Sequence, residues 1–448
     1  MNLGEPLVRG VGLRGALAVN VISMIGIGPL ITIPLVLGSL HGPLSLVAWL
    51  LGALLALCDG LVWAELGSAY PRSGGTYGYL LEIFGPLRIG RLLAFLFVWE
   101  TIFIIPLTLA SGYIGFANYA GYLVPSLGSS PLALKLVAAA VGVITIFALY
   151  RGIKTIERVS VLLWGVAVLT LLAVIAAAFA HWSAHLAFAF RSAPSMWGGL
   201  RAGLGPALVV AMYDYIGYNQ ANTIAGEVVE PQRTLPRSIV GAILLVGALY
   251  IAMQIGVLGA IPWQRYVPLA DGSLPPLGQH LASAVVERAF GPAAGIFVTI
   301  LILITAFASV YGLLLGSSRI PYAAALDGLF LRPFAHLHER HRFPDVSLVV
   351  MGAIALIASF FTLDQVISAL IAAIVLVQSV AQIVALFVMR AQGVRAPYRM
   401  WLYPLPAIVA LAAWVYVFCS AGSSAIVFGL VSIAAGAVVY VATRRAAP

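Results

Sequence analysis

Three carboxylates stand inside long apolar runs of this sequence: Asp59, Glu100 and Asp214. An ionised side chain in such a place costs at least about 2.5 kcal/mol even on lenient scales, so each acid needs a compensating role. One role is to bind a proton or a cation. The other is structural, as a protonated acid or an ion pair that fixes how neighbouring helices pack. None of the seven histidines falls in the core of an apolar run, so proton coupling would rest on carboxylates, with Glu100 and Asp59 as the candidates. Ile104 and Thr108 follow Glu100 by one and two turns on the same helical face. Asp214 differs, because it lies in an interrupted run, "VVAMYDYIGYNQANTIAGEVVEPQRTLP", beside Ile216, Gly217 and Asn219. Tyr213, Tyr215, Tyr218 and the more distant Tyr311 add aromatic faces suited to a cationic group, and Tyr213 and Tyr218 are the expected pocket residues.

A second interruption, "MIGIGPLITIP", occupies Met24 to Pro34, just after Ser23. Pro29 cannot donate to a helical ladder and suits the first position of a new helix, while Gly26 and Gly28 permit unusual backbone angles around Ile27. Gly26 lies about 18 Å along a helix from Arg14, which places the break near the middle of a bilayer. Exposed N–H groups at a half-helix start attract an anion, and exposed carbonyls at a half-helix end attract an ammonium group or a metal ion. The expected binding residues are therefore Ser23, Gly26, Ile27, Gly28, Tyr213, Asp214, Ile216, Gly217, Tyr218, Ile104 and Thr108.

The elements that must hold these residues follow from composition. Of 448 residues, 62% are hydrophobic and 9% charged, and the mean hydropathy is +1.05, which describes an integral membrane protein. Apolar runs of about 20 residues, rather than alternating segments of about ten, indicate a helical bundle and not a barrel. Spans are expected near 14–39, 44–69, 88–119, 132–149, 157–180, 198–225, 237–261, 292–323, 346–361, 364–389, 402–419 and 422–442. The two interruptions open spans one and six. An offset of five reverses orientation, so 14–180 and 198–389 read as two inverted repeats followed by two accessory helices at 402–442, all within one transporter domain covering 1–448.

Basic residues set the orientation. Nineteen of the 24 Lys and Arg fall on the side of the termini, and only Lys135, Arg191, Arg201, Arg265 and Arg288 on the other, so both termini are expected in the cytoplasm. The net charge of +9 is thereby accounted for, and no nucleic-acid partner is implied. The first apolar run is too long for a cleavable signal and lacks a small-residue cleavage site. Cys58 and Cys419 read as packing residues without a disulfide or metal. "HLHERH" offers His336, His338 and His341, but in a basic loop, and no metal is expected there. The runs hold no convergent nucleophile and base, which argues against an enzyme, and the glycines lack the Gly-Lys-Ser of a phosphate loop.

At these residues the sequence resembles the amino acid–polyamine–organocation superfamily. Gly26-Ile27-Gly28 stands at its G-x-G core, "WAELGSAYPRSGGTYGYL" is similar to its second-span ending, Gly217-Tyr218-Asn219 to its sixth-span core, and "AGEVVEPQRTLPRSI" and "GSSRIPYAAALDGLF" to later motifs. The resemblance implies an all-α LeuT-type fold with 12 transmembrane helices, five-plus-five inverted repeats and broken helices 1 and 6. It also implies alternating access for an amino acid or related amine. Three positions depart from the pattern: Ile27 replaces a small residue, Pro29 removes an N–H that a carboxylate would use, and Ala167 stands where sodium-independent relatives often carry Lys. The reading is a secondary transporter in the cytoplasmic membrane, a symporter or antiporter without a cofactor, coupled to H+ or Na+. The alternatives are specificity for cationic amino acids or polyamines, and a transporter-like sensor or channel.

Overall fold

Backbone groups in hydrocarbon are satisfied only within helices or closed barrels, and the computed structural model of the protein carries helix in each of the twelve apolar runs. It describes residues 9–71, 74–85, 89–151, 156–189, 196–269, 272–339 and 343–445. The first run holds α1 (Leu13–Met24) and α2 (Gly28–Leu40), followed by α3 (Ser45–Ala69), α4 (Thr76–Phe84), α5 (Gly90–Leu123), α6 (Pro131–Arg151) and α7 (Ile156–Ala180). Next come α8 (Met196–Tyr215), α9 (Pro231–Ala260), α10 (Leu281–Phe290), α11 (Pro292–Ser317) and α12 (Arg319–Leu326). The chain closes with α13 (Asp345–Ala358), α14 (Leu363–Ile374), α15 (Ala381–Ala391), α16 (Leu405–Ser420) and α17 (Ser423–Arg445). Among the described residues the sole β pairing is an isolated bridge, Val11 with Val228.

Among the described residues, seven continuous helical stretches are long and apolar enough to cross a membrane by themselves, and α1 with α2 adds an eighth as a pair bent by 51°. The chain is a multi-pass membrane protein. Leu132, Phe147, Phe297 and Val438 point outward from α6, α11 and α17, as side chains facing lipid do. Inside, α1 lies along α9 while α2 lies along α8, so the two halves of the first run have different partners. α5 runs through the middle, against α11, α13 and α14. A π-helical stretch, Val375–Val380, joins α14 to α15.

The sixth run departs from the expected helix over 198–225. α8 stops at Tyr215, and Gln220–Glu227 winds into a 3₁₀ segment, with Ile224 outside helical angles, instead of a second α-helical half. Polar side chains compete for the backbone here, one local and one distant in sequence: Thr223 Oγ1 donates to the Gln220 carbonyl at 2.7 Å, and Asn20 Oδ1 accepts the Ala221 N–H at 2.7 Å.

The motif acid Glu65 is 1% exposed at the end of α3 and closes a two-pronged pair with Arg390 of α15, both bonds 2.8 Å long. The Met400 N–H donates to the same carboxylate at 2.8 Å, and the guanidinium lies 3.7 Å from the Tyr403 ring centre. Burial, and after it the Glu65 charge, push the Tyr398 hydroxyl in this loop up to about 12. In "HLHERH", His336 meets Asp345 at 2.7 Å and His338 stacks on Phe343, whereas His341 lies outside the described residues.

Arg390→Met strands the buried Glu65 charge and is expected to cost about 3–5 kcal/mol, most of it recovered in the Glu65→Met/Arg390→Met double variant. Denaturation of the purified variants in detergent measures this, and additive losses would show that the pair is not coupled.

Candidate functional site

The two interruptions meet at the centre of the fold. α1 ends as the Ile25 N–H bonds the Val21 carbonyl at 2.9 Å, and α2 begins as the Leu30 N–H bonds that of Ile27 at 3.0 Å. Tyr250 of α9 sets its hydroxyl against both ends: it donates to the Met24 carbonyl at 2.7 Å and lies 3.3 Å from that of Asp214. Asn20 of α1 reaches Ser238 of α9 at 3.3 Å as well as the 3₁₀ segment. Gly217 has a φ of +118°, and a Cβ there would stand 2.7 Å from the Ser23 carbonyl carbon, so only glycine allows this turn to touch the end of α1.

Gly26 and Gly28 serve differently from the expectation. Neither adopts a positive φ, so the first break does without a left-handed glycine. Gly26 is half-buried with open space where a side chain would project. Gly28 is pressed against α8, and a Cβ on it would run into the Asp214 carboxylate and sit 3.1 Å from the Tyr213 ring. Asp214 is 2% exposed; its Oδ2 accepts from Thr32 Oγ1 at 2.6 Å, and its Oδ1, beside Gly28, has no protein hydrogen-bond partner. Both oxygens therefore face α2.

Around this crossing, Tyr213 shares a 2.7 Å hydrogen bond with Ser111 of α5, whose hydroxyl also reaches the Thr108 carbonyl. Thr108 is half-buried and bonds back to the Ile104 carbonyl at 2.9 Å. Ile27 packs against Gly115 of α5, Ser23 is exposed, and Ile216 is half-buried in the α8 turn. Tyr218 donates to Asp59 Oδ2, which also accepts from Trp63 Nε1 at 3.0 Å. These residues form one connected neighbourhood. Glu100 stands apart from it, held by Ser432 of α17 at 2.9 Å. Tyr215 turns to Trp49 and Tyr250, and Tyr311 packs on Phe307. Ala167 is buried on α7.

Thr32, Ser111 and Tyr250 escaped the sequence reading. Ser111 had a legible signal, since it follows Thr108 by three residues on one helical face. Thr32 looks like an ordinary filler of an apolar run, and Tyr250 lies in an uninterrupted helix.

The family profile described as amino acid permease matches residues 12–442. The chain belongs to the amino acid permease family. This permease is 26% identical over 428 residues to the serine/threonine exchanger SteT of Bacillus subtilis (strain 168), covering 92% of this chain and 91% of SteT. It is 25% identical over 343 residues to the branched-chain amino acid permease BcaP of the same strain, covering 72% and 69%. The crystal structure of MhsT in complex with L-phenylalanine superimposes with a TM-score of 0.55 at 16% identity, covering 97% of this chain and all of that one. The permease thus shares an all-helical LeuT-type fold.

Gly28→Ala forces α2 and α8 apart and is expected to lower stability by about 1–3 kcal/mol and to abolish uptake, whereas Gly26→Ala is tolerated. Uptake in cells, normalised to protein in the membrane, tests the contrast; equal uptake by the two variants would remove the contact's importance.

Proposed function

We propose that this permease carries an amino acid or related organic amine across the cytoplasmic membrane by alternating access, as a secondary active transporter and not an enzyme. One observation carries the reading: two helix interruptions far apart in the chain meet and are joined by hydrogen bonds and close packing, with the half-exposed Gly26 and the exposed Ser23 beside them. Backbone N–H and carbonyl groups freed there match the carboxylate and amine of an amino acid. The binding set we propose is Ser23, Gly26, Ile27, Gly28, Tyr213, Ile216, Gly217 and Tyr218, with Ile104 and Thr108 on the α5 side.

The membrane crossings number twelve in this reading, in two inverted repeats, 14–180 and 198–389, with 402–442 accessory. The clustering of basic residues supports cytoplasmic termini. For the substrate, we favour a small neutral amino acid, supported by the relative named as a serine/threonine exchanger and by Asp214, whose oxygens face α2. A cationic amino acid or polyamine is the second reading, favoured by the unpartnered Oδ1 of Asp214. The coupling ion is H+ or Na+. Of the two candidate acids, Asp59 bonds a residue of the α8 turn, whereas Glu100 secures α5 to α17.

Purified protein in liposomes is expected to show saturable exchange of labelled amino acid; unsaturable flux would indicate a channel, and binding without flux a sensor. Asp214→Asn separates the substrate classes. A cationic substrate is expected to bind at least about tenfold more weakly, about 1.4 kcal/mol, and a neutral one to change less. Thermal-shift titration with amino acids and polyamines reads both.

A further inference from the structure

Beside the α8 turn lies a small cavity lined by Asp59 and Trp63 of α3, Ile216 to Asn219, Ile374, Gln378 and Ser379 of the π-helical stretch, and Trp414 of α16. Its volume for the centre of a water-sized sphere is about 10 Å³, which is room for a single water. Two of its walls carry buried polar atoms that make no hydrogen bond of good geometry, on residues each 1% exposed: Asp59 Oδ1, an acceptor, and Trp414 Nε1–H, a donor set beside the same carboxylate. Burying such groups without a hydrogen bond is costly, and a water that accepts from the indole and donates to the carboxylate satisfies both. The π-helical turn is the third observation. π-Helical turns are rare and frequent at functional sites, and this one brings Gln378 and Ser379 to the cavity.

We propose that this cavity is a second internal site of the permease, adjoining the substrate site through Ile216, Gly217 and Tyr218, in which one water passes the coupling proton to and from Asp59. The inference rests on the transporter reading and assigns its coupling ion. Solvent hydronium supplies the proton. One O–H bond of hydronium breaks and one forms at Asp59 Oδ1, leaving neutral water and a neutral acid; release reverses both changes. The ionised carboxylate grips Tyr218 and Trp63 through charge-assisted bonds at Oδ2, and the neutral acid grips them more weakly. Proton occupancy thereby alters the hold on the residue that follows Gly217, and so reaches the α8 turn.

The groups facing Asp59 leave it the proton acceptor. Tyr218 bonds it, and Cys58 precedes it on α3. Trp414, Gln378 and Ser379 bring no charge from α16 and the π-helical stretch, and α9 presents Ile239 and Ile243 to the next residue, Gly60. Asp214 of α8 faces α2, and Glu65 pairs with Arg390 at the end of α3.

The experiment counts protons against substrate in liposomes that contain a pH-sensitive dye, with labelled amino acid outside. Wild-type protein is expected to move protons with substrate, and Asp59→Asn to lower the protons moved per substrate by about tenfold or more. Glu100→Gln is expected to keep the wild-type ratio. An unchanged ratio in Asp59→Asn, or wild-type protein that moves substrate without protons, overturns the proposal. An infrared pH titration of detergent-purified protein decides it without substrate: a protonated-carboxyl component in the wild type minus Asp59→Asn difference spectrum, where the bands of Glu100 and Asp214 cancel, that is shifted in Trp414→Phe supports the site, and a difference spectrum without such a component overturns it. Wild-type protein that moves no amino acid overturns the transporter reading instead, and the infrared result still stands.

Discussion

A helix interrupted in hydrocarbon frees N–H and carbonyl groups that water cannot reach, and the centre of this permease is organised by what satisfies them. The Tyr250 hydroxyl takes the Met24 carbonyl at the end of α1 and lies close to that of Asp214 near the end of α8. Asn20 takes the Ala221 N–H beyond the second interruption. Each break is thus held by residues of other segments, and neither would be stable alone. Groups left over by this mutual support, around Gly26 and Ser23, are the ones a ligand can use.

The same constraint explains the carboxylates. Each buried acid bridges two elements: Asp214 joins α8 to α2 through Thr32, Asp59 joins α3 to the α8 turn through Tyr218, and Glu100 joins α5 to α17 through Ser432. Glu65 joins α3 to α15 through Arg390. Two of these joints involve α8 or the turn after it, and these are where a change in charge or occupancy would be felt by the substrate neighbourhood.

The helical membrane fold was legible because hydrocarbon leaves a chain so few options, and the apolar runs carry helix close to the expected bounds. The breaks were legible where Gly and Pro cluster, at Gly26, Gly28, Pro29 and Gly217. Their geometry was not. Sequence suggested strained angles at Gly26 and Gly28, whereas the left-handed angle falls at Gly217 and Gly28 answers to close packing. The form of the sixth run beyond Tyr215 depended on a side chain about 200 residues away, Asn20, which no local pattern announces. The π-helical turn at "VLVQSV" is likewise silent, since its apolar residues suit any helix.

The division of partners at the first break has a mechanical meaning. Because α1 lies on α9 and α2 on α8, a change of angle at Ile25, Gly26 and Ile27 would move α1 relative to α2, although α3 touches both α8 and α9. α1 is then a lever of 12 residues, about 18 Å long. Turning it by about 10° would sweep its far end through about 3 Å, roughly the width of a water molecule, while the pivot scarcely moves. Small torsional changes beside the substrate neighbourhood would therefore be magnified toward the membrane surface.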